Sequence, residues 1–112
     1  MSEMDFEASG GSIFADLGFG PEADEELTAK STLILAMKAV IAERTLTQKQ
    51  AAKVCGTDQP TLSKVLHGRM ESVTLDRLAH WLTALGQDVE ITVRPAPSTR
   101  HARLHVASAA AA

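Results

Sequence analysis

The stretch from Cys55 to Gly68, CGTDQPTLSKVLHG, brings amide, hydroxyl, ammonium and imidazole groups onto one side of a predicted helix. At about 3.6 residues per turn, Leu62, Val65 and Leu66 share one face, and the polar side chains share the opposite face. The outward residues are Gln59, Pro60, Ser63, Lys64 and His67. Their shared chemistry is hydrogen bonding with a mild positive charge, which suits recognition of a polar partner.

Catalytic and metal chemistry have much weaker support in this sequence. Ser63, His67 and Asp76 include the residue types of a hydrolase triad, but no pattern orients them, so we predict no enzyme activity. His101 and His105 have the i, i+4 spacing of a metal-binding pair, yet no third ligand is apparent. We therefore predict no catalytic residue, no metal site and no cofactor.

Two short helices are predicted to position the polar face. Thr47 opens a capping box and begins a helix over Gln48 to Cys55, and Gly56 suits the position just after its end. Asp58 is a natural N-cap for the second helix, from Gln59 to His67. Two helices joined by three or four residues with a glycine in the turn form a helix-turn-helix.

The second helix of such a motif can enter the major groove of B-DNA, where base edges present hydrogen-bond donors and acceptors. Gln59 can pair with adenine, Pro60 can contact a thymine methyl, and the N–H groups near Gln48 can hold a phosphate. A helix-turn-helix that binds only protein is the alternative. We predict that double-stranded operator DNA is bound by Gln48, Lys49, Gln59, Pro60, Thr61, Ser63, Lys64, His67 and Arg69.

The predicted fold class is all-α, with five helices or fewer. A long helix from about Glu22 to Arg44 precedes the motif, and a helix capped by Thr74 and ended by Gly86 follows it. Four segments are predicted: an acidic flexible arm with a short apolar segment over 1–20, a DNA-binding domain over 21–86, a dimerisation strand over 87–95, and a disordered tail over 96–112.

The predicted strand over 87–95 raises a question of pairing. Val89, Ile91 and Val93 alternate with polar residues, which indicates a strand, but the sequence offers no second strand. A lone strand leaves its backbone N–H and C=O groups without a ladder. We predict antiparallel pairing with the same strand of a second copy, and hence a homodimer held by these three residues. The alternative is an extended segment lying on its own helices.

The net charge of -3 hides an uneven distribution. Residues 1–27 contain eight acids and no Lys or Arg, whereas the remainder contains all 11 basic residues and six acids. Charge complementarity would let the acidic arm approach a basic protein partner, and buried apolar side chains would anchor it. The candidate anchors are Ile13, Phe14, Leu17 and Phe19. Alternatively, this cluster folds back on the first helix and covers the core.

The sequence predicts a cytoplasmic protein with no membrane association. Its N-terminus lacks the basic region and the long apolar run of a signal peptide. The longest apolar stretch, LILAM, is far too short to cross a bilayer. Cys55 is the single cysteine, so no internal disulfide forms.

The segment LTQKQAAKVCGTDQPTLSKVLHGRMESVTLDRLAHWLTALG resembles the XRE, or Cro/C1-type, helix-turn-helix family over roughly residues 33–86. The matching features are Thr47, Gln48, Ala52, Gly56, Gln59, Leu62, Ser63, Gly68 and the helix LDRLAHWLTALG. Pro60 stands where many members carry a polar residue.

The flanking IFADLGF and DVEITVRP narrow the resemblance to the HigA-type antitoxin subgroup. That resemblance implies a homodimeric repressor that binds its own operator and neutralises a RelE/HigB-like ribonuclease toxin. The apolar cluster of the arm would then bind the toxin. The alternative is a stand-alone XRE-type transcriptional regulator without a toxin partner.

Overall fold

The computed structural model describes residues 21–99 and 101–109, and within them the fold is all-α. This confirms the predicted class of five helices or fewer, and the bounds predicted for the first helix of the motif, Gln48 to Cys55, are correct to the residue. The elements in chain order are α1 Pro21–Glu43, α2 Gln48–Cys55, α3 Gln59–Leu66, a short 3-10 turn Met70–Ser72, and α4 Leu75–Ala84.

The chain divides into two compact units. The described part of the smaller unit comprises residues 21–29, 93–99 and 101–105. In it, the backbone N–H of Leu104 donates a hydrogen bond to Oε1 of Glu25 at 3.1 Å. The larger unit begins at Lys30 and contains α2, α3 and α4 together with most of α1.

One hydrophobic core lies within the larger unit, where α2 packs against both α3 and α4. Ala51 and Ala52 are buried on α2, and their small side chains let the neighbouring helices approach closely. Trp81 is only 3% exposed, so it is a packing residue of α4. Other core side chains include Ile34, Met37, Val40, Leu62, Val65, Leu78, Leu82 and Leu85.

Polar side chains of α1 and of the residue after it also make contacts with residues distant in the sequence. Nη1 of Arg44 donates to the carbonyl of Leu85 at 3.0 Å, which places a cation at the carbonyl end of α4. Nζ of Lys30, itself 7% exposed, donates to the carbonyl of Met70 at 3.1 Å. Oγ of Ser31 donates to Sδ of Met70 at 3.2 Å. These contacts hold both the end of α4 and the turn that follows α3.

The four helices end alike, with a residue of positive φ just beyond the last turn. Gly56, Gly68 and Gly86 take this conformation after α2, α3 and α4. After α1 the position is occupied by Thr45, with φ of 54°, and the N–H of Leu46 donates to a carbonyl five residues back at 3.0 Å. This is the Schellman arrangement, which satisfies helix-end carbonyls. A β-branched residue is strained in this region, and glycine is not.

No strand occurs among residues 21–99 and 101–109 of the single copy, and pairing of residues 87–95 with a second copy stays a prediction. A strand requires a hydrogen-bonding partner, and this part of the chain supplies none. Val89 is half-buried against the core, whereas Ile91 and Val93 are 83% and 91% exposed. The alternating pattern therefore leaves two apolar side chains in solvent.

Thr45→Gly should stabilise the larger unit by about 1 kcal/mol, because it relieves the positive-φ strain of a β-branched residue. The variant loses only the exposed hydrogen bond from Oγ1 of Thr45 to the carbonyl of Arg44, at 2.6 Å. The midpoint of urea unfolding should rise with an unchanged m-value.

Gly56→Ala is the matched control, because it makes the opposite change, from glycine to a residue with a Cβ, at another position of positive φ. A Cβ at Gly56 would meet no atom within 4 Å, so its cost of about 1 kcal/mol would come from φ alone. If Thr45→Gly lowers the midpoint as Gly56→Ala does, the strain at Thr45 is compensated by contacts of its side chain, and the prediction fails.

Candidate nucleic-acid interface

The helix-turn-helix begins with a complete capping box. The N–H of Thr47 donates to Oε1 of Gln50 at 2.8 Å, and the N–H of Gln50 donates to Oγ1 of Thr47 at 3.0 Å. This confirms the predicted start of α2. The first turn of α2 carries no acidic residue, and its cap is a neutral hydroxyl. The positive end of this helix dipole is therefore open to an anion.

The turn between the helices has the predicted geometry. Gly56 has φ of 76°, and its N–H donates to the carbonyl of Lys53 at 3.2 Å. Asp58 caps α3 by accepting the N–H of Thr61 at 2.8 Å. Hydrogen bonds from the backbone and the side chain of Thr61 hold the pKa of Asp58 below its ordinary value. The carboxylate is therefore ionised at neutral pH.

The charge on Asp58 decides which helix start can take a phosphate. It already neutralises the positive end of α3, and it would repel a second anion there. The start of α2 has no such charge. Of the two helix starts in the motif, α2 is thus the one suited to a DNA phosphate, next to the exposed ammonium of Lys49.

Helix α3 has two faces of opposite character, as predicted. Leu62, Val65 and Leu66 are 0%, 1% and 6% exposed and belong to the core. The opposite side carries an exposed amide, proline ring, ammonium and imidazole from Gln59, Pro60, Lys64 and His67. Helix α3 ends at Leu66, one residue earlier than predicted, and His67 follows as its C-cap.

All nine predicted DNA-binding residues lie on this motif or directly after it. Lys49, Gln59, Pro60, Lys64, His67 and Arg69 are exposed, and Gln48, Thr61 and Ser63 are half-buried. Thr61 is already engaged with Asp58 through its backbone N–H and its side chain, so it supports the cap. A direct contact of any of the nine with DNA stays a prediction.

A hydrogen bond to the backbone fixes the orientation and the tautomer of His67. Its Nδ1 lies 2.7 Å from the carbonyl oxygen of Ser63. A carbonyl only accepts, so Nδ1 carries the hydrogen and Nε2 is the remaining nitrogen of the ring. Neutral His67 therefore offers an acceptor at Nε2, and the imidazolium offers a donor. The i, i+4 spacing of Ser63 and His67 was the available sequence signal for this pair.

The motif is locally basic although the whole chain is acidic. From Arg44 to Met70 the sequence contains five basic residues and a single acid, Asp58. Lys53 is exposed on α2, and Lys64 and Arg69 are exposed on α3 and just after it. Fixed positive charge of this kind attracts a polyanion, and the attraction weakens as salt is added.

The remaining candidate residues lie elsewhere or outside the described chain. The proposed arm anchors Ile13, Phe14, Leu17 and Phe19 are outside the described residues. Cys55 is partly buried against the core, and this burial raises the pKa of its thiol. Residues 21–99 and 101–109 contain no group of three or more His, Cys, Asp or Glu placed to hold a metal. None of the helices in the same residues combines the length with the apolar character of a membrane-spanning segment.

Comparison with known proteins gives two matches to this architecture. Residues 13–94 match a family model described as a helix-turn-helix domain. A solved structure named "Putative XRE Family Transcriptional Regulator" is 39% identical and superposes with a TM-score of 0.71. The match covers 77% of this chain and 98% of that chain. The comparison with curated proteins gives no match.

Proposed function

Because this chain belongs to the helix-turn-helix domain family, we propose that it is an XRE-type transcriptional regulator that represses transcription by binding a specific DNA sequence. The observation that carries the proposal is the two-faced helix α3, whose apolar side is buried and whose polar side is exposed. Regulators of this family are typically non-enzymatic, which fits a molecule that acts by occupying DNA.

In this proposal, α3 reads base edges and its surroundings bind phosphates. Gln59 is the first residue of α3, and its amide can donate to N7 of adenine while accepting a hydrogen bond from the N6 amino group. Phosphates are bound by the start of α2 and by the exposed side chains of Lys49, Lys64 and Arg69. Specificity thus comes from base contacts of α3, and much of the affinity comes from these phosphate contacts.

Gln59→Ala tests base reading. We expect a loss of about 1–3 kcal/mol on the preferred duplex, with relaxed preference at one base pair, because one bidentate contact is removed. Fluorescence anisotropy should be measured with a duplex selected from a random pool and with its single-base-pair variants.

Lys49→Gln is the matched control for Gln59→Ala. Removal of a phosphate-binding ammonium should weaken binding to all duplexes alike and lower the salt slope by about one unit. If Gln59→Ala instead behaves like Lys49→Gln, Gln59 binds phosphate and the base-reading assignment is wrong.

We further propose that the regulator is a homodimer joined through residues 87–95. The supporting observation is that Ile91 and Val93 are 83% and 91% exposed in the single copy. Antiparallel pairing of this segment with its copy would supply the missing backbone partners and cover both side chains. Two copies would also present two α3 helices to the two halves of an operator.

Ile91→Asp should give a monomer without loss of the folded helices, because Ile91 is almost fully exposed in one chain and lies outside the core. Light scattering should report the monomer, and circular dichroism an unchanged helix content. Thr92→Asp, at the neighbouring exposed position, is the control and should stay dimeric. A dimeric Ile91→Asp protein would mean that another surface joins the copies.

The finer proposal is that this regulator is a cytoplasmic antitoxin that neutralises a RelE/HigB-like ribonuclease toxin and represses its own operon. It is supported by the eight acids and the apolar cluster of residues 1–27, which suit a cationic protein surface. A stand-alone XRE-type regulator is the alternative. A reading frame for a small basic protein beside this gene would favour the antitoxin.

Deleting residues 1–20 separates a partner-binding arm from a cover for the core. The antitoxin proposal expects an unchanged melting temperature and unchanged DNA binding, with loss of rescue in cells that express the toxin. Rescue is measured as colony counts against the amount of folded protein. A large fall in melting temperature, with rescue reduced only in proportion to folded protein, would contradict a partner-binding role.

A further inference from the structure

The C-terminal part of the chain has a charge pattern that the helix-turn-helix does not explain. From Ile91 to the last residue the sequence contains three arginines, two histidines and no Asp or Glu. Within it we define the basic segment as residues 93–99 and 101–105. Arg94 and Arg103 are exposed in this segment. A run without acids is a surface on which no internal carboxylate competes for an incoming anion.

The acidic start of α1 makes contact with this segment. Asp24, Glu25 and Glu26 are consecutive on α1, and Oε1 of Glu25 accepts the backbone N–H of Leu104 at 3.1 Å. Both stretches belong to the smaller compact unit. The most acidic turn and the acid-free segment of the chain are therefore adjacent, although nearly 80 positions separate Glu25 from Leu104.

We propose that the basic segment is a second DNA-binding surface, which contacts phosphates irrespective of sequence, and that the acidic start of α1 competes with DNA for it. This inference rests on the proposed function, because DNA is the polyanion that the regulator meets. Guanidinium groups such as those of Arg94 and Arg103 match phosphate oxygens with two parallel hydrogen bonds.

The backbone of the segment allows this use. Residues 93–99 and 101–105 form neither helix nor strand, so the stretch can follow a phosphate backbone without unfolding an element.

The contact with α1 is weak enough to be exchanged. The hydrogen bond from Leu104 to the Glu25 carboxylate is exposed, and attraction between exposed charges is modest and screened by salt. A phosphate backbone offers many anions in a row, so it outcompetes one helical turn of carboxylates when salt is low. The acids thereby reduce non-specific binding without blocking a specific site.

The experiment uses the full chain and a duplex without the preferred site, so that only phosphate binding is measured. Arg94→Gln with Arg103→Gln should lower the slope of log K against log salt by about 0.9 for each phosphate that the variant no longer binds. Arg94→Lys with Arg103→Lys keeps both charges and should keep the slope. Both variants change exposed residues, so circular dichroism should show the wild-type fold.

Glu25→Gln tests the competition, since the amide can still accept the N–H of Leu104 but carries no charge. Binding to the same duplex should tighten by about two- to fivefold at low salt, the range that an exposed charge pair contributes. The difference should disappear at high salt. The proposal requires both results, so a wild-type slope in the arginine-to-glutamine variant or wild-type affinity in Glu25→Gln overturns it.

Failure of this inference is distinguishable from failure of the proposed function. A wild-type slope in the arginine-to-glutamine variant, together with a clear preference for the selected duplex, would overturn the proposed role of the basic segment. The proposal of a sequence-specific regulator would stand. Equal affinity for all duplexes, with a lowered slope in that variant, would support the basic segment as a phosphate-binding surface. It would overturn the proposal of sequence-specific repression. Absence of any DNA binding would overturn both.

Discussion

Burial of three side chains, Leu62, Val65 and Leu66, is the constraint on which the rest of the molecule depends. A helix of eight residues is too short to be stable by itself in water, so α3 forms because its apolar face is removed from solvent. That burial leaves α3 no freedom to rotate, since rotation would expose leucine and bury an ammonium. Burial of the apolar face therefore both stabilises α3 and keeps its polar face in solvent.

The elements around α3 act mainly by holding it. Ala51 and Ala52 keep α2 close, and Asp58 satisfies the first turn of α3. Lys30 reaches across from α1 to the carbonyl of Met70, just past the end of α3. The charge on Asp58 also distinguishes the two helix starts, because it neutralises the positive end of α3 and leaves that of α2 open to an anion.

Local chemistry made the motif predictable from sequence. The capping box at Thr47, the glycine at 56 and the cap at Asp58 each act within four residues, so they defined the bounds of α2 and the start of α3 in advance. Long-range contacts such as Lys30 with Met70 leave no local signal and were missed. The strand over 87–95 has no ladder in the single copy, because alternation predicts only an extended segment, whereas a ladder also needs a partner strand.

The most direct test of the central claim, that the polar face of α3 meets DNA, is to follow backbone amide resonances by NMR while the selected duplex is added. The largest shifts should fall on Gln59 to His67 and on the first turn of α2, with smaller ones along the basic segment. Shifts confined to α1 and α4, with α3 unchanged, would contradict the claim and indicate that the motif serves another partner.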